Sequence, residues 1–95
     1  AIGGEDPLSH DLPDDKEQQI ANAFTTIRAI MREAGGSPEN IGKVSVYVAD
    51  RDDRKLINPH WLEMFPDENS RPVRHTMAKK LPPGRYIQVE IIAVF

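Results

Sequence analysis

The apolar positions of this chain change period along its length, and each change marks an element. From Ile20 they fall at Ala23, Phe24, Ile27, Ile30, Met31 and Ala34. Intervals of three and four make one continuous helical stripe. Gln18, Gln19, Asn22, Thr25, Thr26, Arg28 and Arg32 mostly take the wet side. Asp14 is placed to cap this helix, with Glu17 three residues on as its capping-box partner. Gly35-Gly36 ends it, because glycine takes the left-handed C′ conformation at little cost. Ser37-Pro38-Glu39-Asn40 reads as a capped single turn. The period then drops to two: between Lys43 and Ala49, Val44, Val46 and Val48 point one way, and Ser45, Tyr47 and Ala49 the other.

Asp50 and Asp53 can cap a second helix with apolar residues Leu56, Ile57, Trp61, Leu62, Met64 and Phe65. Pro59 predicts a kink or a division, with Asn58 as an internal cap, and Pro66 a stop. After a polar loop at Asp67 to Arg71 come a strand from Arg74 to Lys79, a tight connection at Leu81-Pro82-Pro83-Gly84, and a final strand from Tyr86 to Phe95. The short connection predicts an antiparallel hairpin of these two strands. Gly3-Gly4-Glu5-Asp6-Pro7 reads as a strand end running into a loop.

The order is strand end, helix, strand, helix, strand, strand. It predicts an α/β (α+β) fold: one domain over residues 1–95, a mixed sheet, and both helices on one face through a right-handed crossover. Both faces of the last strand are largely apolar: Ile87, Val89, Ile91, Ala93 and Phe95 on one, Ile92 and Val94 on the other. A domain of 95 residues has a thin core. A strand apolar on both sides in such a domain predicts packing against another subunit.

Composition narrows the function. With 12 basic and 15 acidic residues the net charge is −3, which argues against a general nucleic-acid or anionic-membrane binder. The charge is uneven: Glu5 to Glu17 is acidic, and Arg71 to Arg85 is basic with no acid. That basic stretch fits a solvated face and an anion site equally. There is no cysteine, hence no disulfide, thiol nucleophile or zinc-thiolate site. This fits a reducing compartment such as the cytoplasm. His10, His60 and His75 show no metal-ligand spacing, and no metal or other cofactor is expected. No apolar run is long enough to span a bilayer.

Two charges stand out against this background. Glu90 interrupts the apolar final strand, sharing a face with Gln88, Ile92 and Val94. Arg74 opens the preceding strand just after Pro72-Val73, where a proline marks a sheet edge or rim. A carboxylate and a guanidinium on strands are costly to bury unless they meet each other, a ligand or a cleft. A guanidinium fork suits a small carboxylic acid, and a nearby glutamate suits proton transfer to or from water. The expectation is that Arg74 and Glu90 converge on one hollow. The structural alternatives are a Glu90 that simply lies at a sheet edge, an ion pair between the two, and an ordinary exposed strand arginine. Asn58 reads first as a helix cap.

The chain resembles the RidA (YjgF) family of reactive intermediate deaminases over nearly its whole length from Gly3. The resemblance rests on Gln18 or Gln19 leading the first helix, on Ala34-Gly35-Gly36-Ser37-Pro38-Glu39-Asn40-Ile41 before the valine strand, and on Ile57-Asn58, Trp61 and Phe65. Pro72-Val73-Arg74, Leu81-Pro82 and Val89-Glu90-Ile91-Ile92-Ala93 are its most specific parts. It implies a chorismate-mutase-like fold and a homotrimer, with ligand sites in clefts between subunits. It also implies hydrolysis of 2-imino acids such as 2-iminobutanoate and 2-iminopropanoate to 2-keto acids and ammonia. By the same resemblance, Arg74 binds the substrate carboxylate, Glu90 positions or activates water, Asn58 lies near the pocket, and Thr76 stands where many members have cysteine. Val73 stands where alanine is usual, which implies a narrower pocket. Family members carry two more short strands upstream, with a pocket tyrosine and a serine-glycine pair, so the resemblance implies a sheet lacking those strands here. The alternatives are a non-catalytic trimer that binds small keto acids and, less favoured, an endoribonuclease or translation inhibitor.

Overall fold

A computed structural model describes residues 2–95. Its elements are helix α1 (Lys16–Glu33), strand β1 (Ile41–Val48), helix α2 (Arg54–Met64), strand β2 (Val73–Ala78) and strand β3 (Ile87–Ala93). Single 3-10 turns, Pro38–Asn40 and Arg51–Asp53, precede β1 and α2. The fold is mixed α/β, as the patterns predict. No helix among the described residues is long and apolar enough to cross a membrane.

The periodic stripe of α1 becomes the centre of the core. Ile20, Ala23, Phe24, Ile27 and Met31 bury against Val44, Val46 and Val48 of β1, Ile57, Trp61 and Met64 of α2, and Ile87 and Val89 of β3. The helix starts one residue later than its capping pattern suggests. Asp15, not Asp14, is the N-cap, and its carboxylate accepts from Gln18 N–H. At the other end Gly35 has φ 80°, the left-handed conformation expected of it.

The strand order corrects the predicted hairpin. The sheet runs β2-β1-β3, with β1 parallel to β2 and antiparallel to β3. The crossover β1-α2-β2 therefore joins neighbouring strands, and β1 lies between the two strands expected to pair. The connection after β2 crosses the end of β1 instead. Lys79 N–H donates to Val48 O (2.9 Å) and Ala49 N–H to Tyr86 O (3.4 Å). Two prolines, which cannot donate to a ladder, and the buried Leu81 suit this connection to a crossing rather than a two-strand turn. As Pro72 suggests, β2 is an edge strand. At the opposite edge Ile2 bridges Val89 through two 2.7 Å backbone hydrogen bonds, the strand end read from Gly3-Gly4.

Helix α2 is continuous through Pro59. Proline removes one backbone hydrogen bond without dividing the helix here, and no hydrogen bond among the described residues engages the Asn58 side chain, so its predicted capping role is not realised. Asp50 caps the preceding turn by accepting from Asp52 N–H.

Gln19 and Asn22, expected on the wet side of α1, are buried. Gln19 Nε2 donates to Pro13 O (2.8 Å) and Gly84 O (2.7 Å), and its Oε1 accepts from Tyr86 N–H (3.0 Å). Asn22 Nδ2 donates to Gly4 O (3.1 Å). Gly4 lies so close that a Cβ there would sit 2.5 Å from Gln19 Cβ. These amides tie the N-terminal segment and the β2–β3 connection to one helix. Replacing Gln19 with alanine removes three part-buried hydrogen bonds from a buried side chain. We expect it to lower unfolding free energy by about 3 kcal/mol, read as a reduced urea midpoint at unchanged slope.

Candidate active site at the edge of β2

Register fixes the face of every strand residue. Arg74 is opposite Val44 and Thr76 opposite Val46, and side chains of paired residues share a face. Val44 and Val46 are buried under the helices, so Arg74 and Thr76 point to the helix side. Glu90 is opposite Ser45, which is also opposite His75. Glu90 therefore belongs to the other, bare face.

The expected convergence of Arg74 and Glu90 does not occur within one chain. They lie on opposite faces of the sheet and on strands two spacings, about 10 Å, apart. Nor does an ion pair join them, which removes the simplest structural alternative. Glu90 is exposed and borders a hollow of about 280 Å³ with Ile2, Ile30, Val89 and Ile91 at the far edge of the sheet.

Arg74 is held in a definite pose. Its Nε donates to Thr76 Oγ1 at 2.9 Å, and its guanidinium carbon lies 5.2 Å from the centre of the Trp61 ring. The aromatic face favours the cation, and the Thr76 bond occupies the side nitrogen. The two terminal nitrogens remain as a fork with no bonded partner among the described residues, the geometry that takes a carboxylate in two parallel hydrogen bonds. Burial, followed by the charge of Arg54, pulls the proton affinity of Arg74 below its ordinary value.

Asn58 is exposed on α2. Arg54, Asn58 and Trp61 recur at intervals of four and three, so they share one helical face. The contact of Trp61 with Arg74 sets that face toward β2. Three of the four residues singled out from sequence, Arg74, Thr76 and Asn58, thus belong to one region between α2 and the open edge of β2. Glu90 does not. Val73 is 58% exposed on the bare face, opposite Lys43; it does not crowd Arg74 in its own chain. Arg54 and the stacking role of Trp61 went unread, although the 54–58–61 spacing could have exposed both.

The basic stretch is not one surface. Arg71 Nε donates to Phe65 O (2.8 Å), Arg74 sits over Trp61, Lys79 Nζ lies 4.9 Å from the centre of the Tyr47 ring, and Arg85 pairs with Glu5. No group of three or more metal-ligating side chains gathers among the described residues. The bare face carries apolar surface: Val73, Met77 and Ile92 are 58%, 40% and 59% exposed, and Val94 beyond β3 more so. It is the face whose apolar residues suggested a partner subunit.

A model of the family described as endoribonuclease L-PSP matches residues 2–95. A RutC family protein of Aquifex aeolicus is 34% identical over 92 residues, which cover 96% of this chain and 74% of that protein. The 2-iminobutanoate/2-iminopropanoate deaminase of Bos taurus is 32% identical over 93 residues, covering 96% of this chain and 66% of the bovine protein. The chain thus spans just under two thirds of that relative's length. The crystal structure of RidA from a Psychrobacter species superposes with a TM-score of 0.86 at 26% identity, over 98% of this chain and 75% of that one.

Proposed function

We propose that this chain, which belongs to the endoribonuclease L-PSP family, the RidA/YjgF proteins, hydrolyses 2-imino acids to 2-keto acids and ammonia at sites shared between subunits. The observation that carries the reading is the Arg74 fork, oriented by Thr76 and Trp61 at an open sheet edge. It suits the carboxylate beside the imine of a 2-imino acid. The opposite faces of Arg74 and Glu90 argue for assembly: a glutamate that cannot reach the fork of its own chain can reach that of a neighbour. The exposed apolar residues of the bare face supply a reason for chains to associate, and a homotrimer is the arrangement we adopt.

The chemistry is modest because an imine carbon is already electrophilic. Arg74 holds the carboxylate and so fixes the C=N carbon beside a water. Glu90 of the adjacent subunit accepts a proton as the water oxygen bonds to that carbon. That proton passes to nitrogen to give a carbinolamine; the hydroxyl proton then follows to nitrogen by way of Glu90, the C–N bond breaks, and ammonia leaves as the carbonyl forms. Water supplies the oxygen, and no electrons change hands.

The simplest substrates of this class are 2-iminobutanoate and 2-iminopropanoate. Generating 2-iminobutanoate in situ from threonine with a dehydratase tests this directly. The protein should accelerate ammonia release by at least about tenfold over spontaneous hydrolysis, within the scale of positioned acid–base groups. An unchanged rate would defeat the catalytic reading.

One observation favours a second reading. The Arg74 side of the site stands complete in one chain without Glu90, as a simple keto-acid binder requires. Binding of 2-oxobutanoate without any acceleration would select it. Cleavage of RNA has less support, since the basic residues from Arg71 to Arg85 are dispersed over separate partners.

A further inference from the structure

Resting on the deaminase reading above, we propose that the preferred substrate carries a second acid: the region between β2 and α2 suits a 2-imino dicarboxylic acid, with Arg54 holding the side-chain carboxylate and Arg74 the one beside the imine. Arg54 is thereby a specificity-determining residue.

The direction of the chain sets Arg54 on the side toward which Arg74 extends. Strands β1 and β2 are parallel, and α2 connects them, so α2 runs back against β2. Moving from Trp61 through Asn58 to Arg54 on α2 therefore follows the same direction as moving from Arg74 to Thr76 on β2. The Nε bond to Thr76 Oγ1 bends Arg74 in that direction. Seven residues of helix separate Trp61 from Arg54, about 10 Å along the axis, a gap that two extended arginine side chains shorten. Arg54 is close enough for its charge to act on Arg74.

Neither charge is compensated. The ion pairs among the described residues are Lys16–Asp53, Arg28–Glu63 and Arg85–Glu5. Asp53, the acid next to Arg54 in sequence, is engaged by Lys16 at 3.0 Å. Two unpaired like charges on neighbouring elements raise the energy of the empty protein. A monocarboxylate relieves one of them. A dianion relieves both and converts their repulsion into two attractions. Asn58, between them on the same helical face, offers an amide donor and acceptor to either end of the ligand.

A binding measurement tests this without turnover. The probes are 2-oxoglutarate and 2-oxopentanoate, of equal chain length, differing in the terminal carboxylate. Titration calorimetry on the intact protein should give a dissociation constant about tenfold lower for 2-oxoglutarate, the scale of one charge-assisted hydrogen bond. Arg54→Gln should bring the two affinities together, and Arg54→Lys should keep part of the preference. Arg54 is exposed, so both variants retain the fold, which circular dichroism checks. Equal affinities in the unaltered protein, a preference that survives Arg54→Gln, or binding of neither acid would overturn the proposal. Failure to hydrolyse imines with the binding preference intact would remove only the deaminase reading. Imine hydrolysis without the preference would remove only this one.

Discussion

Arg74→Ala is expected to lower kcat/KM for 2-iminobutanoate by about two to three orders of magnitude, because the fork both binds the carboxylate and fixes the imine carbon for attack. The loss should exceed that of a lysine substitution. Lysine restores the charge, but it cannot offer two parallel donors from a planar fork as the guanidinium does. Stability should change little. Arg74 is half-buried at an edge strand, bonded to one neighbouring side chain and stacked on one ring, contacts together worth about 1 kcal/mol in so exposed a setting. Steady-state rates against thermal midpoints for the unaltered, Ala and Lys proteins check this. A large fall in midpoint with the rate per folded molecule preserved would make Arg74 a structural residue.

The second large effect is expected at Glu90. Glu90→Gln keeps the shape and removes the proton acceptor, and general base removal costs about 10²–10⁴ in kcat. Affinity for 2-oxobutanoate should stay close to that of the unaltered protein, because the Arg74 fork holds the carboxylate and Glu90 meets the attacking water. Arg74→Ala should show the reverse split, with binding lost as well as rate. Glu90 is exposed in the single chain, and no core contact depends on it. A fall in activity at Glu90→Gln therefore reports chemistry or assembly rather than folding, and size-exclusion chromatography separates those two.

How far the sequence could be read depended on whether a feature was local. The α1 stripe, the valine face of β1 and the edge position announced by Pro72 are local patterns, and the structure bears them out except at Ile30 and Ala34, which are exposed. The membership of each residue in one face of its own strand was also legible: Glu90 does lie with Gln88 and Ile92. What could not be read was how the faces of separate strands align. That depends on register with β1, and a slip of one residue turns a whole strand over. Arg74 and Glu90 each stood out correctly as unusual, yet their mutual placement was set by Val44 opposite Arg74 and Ser45 opposite Glu90. The hairpin expectation failed for a related reason. The connection at Leu81 to Gly84 resembles a turn, but Gln19, a polar residue on a helix far away in sequence, holds Gly84 and Tyr86 across the end of β1. A glutamine reads as solvent-facing by type, and only its own burial and its three backbone partners show otherwise.

The site residues divide between local and assembled in the same way. Arg74, Thr76, Asn58 and Trp61 are joined by one strand and one helix, so each chain carries that half of the site. Glu90 belongs to the bare face, beside apolar side chains that a second copy would cover. On this account neither half hydrolyses imines alone.

Subunit complementation tests that most directly. Arg74→Ala and Glu90→Gln chains, each nearly inactive, are unfolded together and refolded into mixed oligomers. If each site takes Arg74 from one chain and Glu90 from its neighbour, random mixing leaves about a quarter of the sites with both groups intact, and activity should return to about a quarter of that of the unaltered protein. A mixture shown to be co-assembled, yet no more active than its two components apart, would contradict the account.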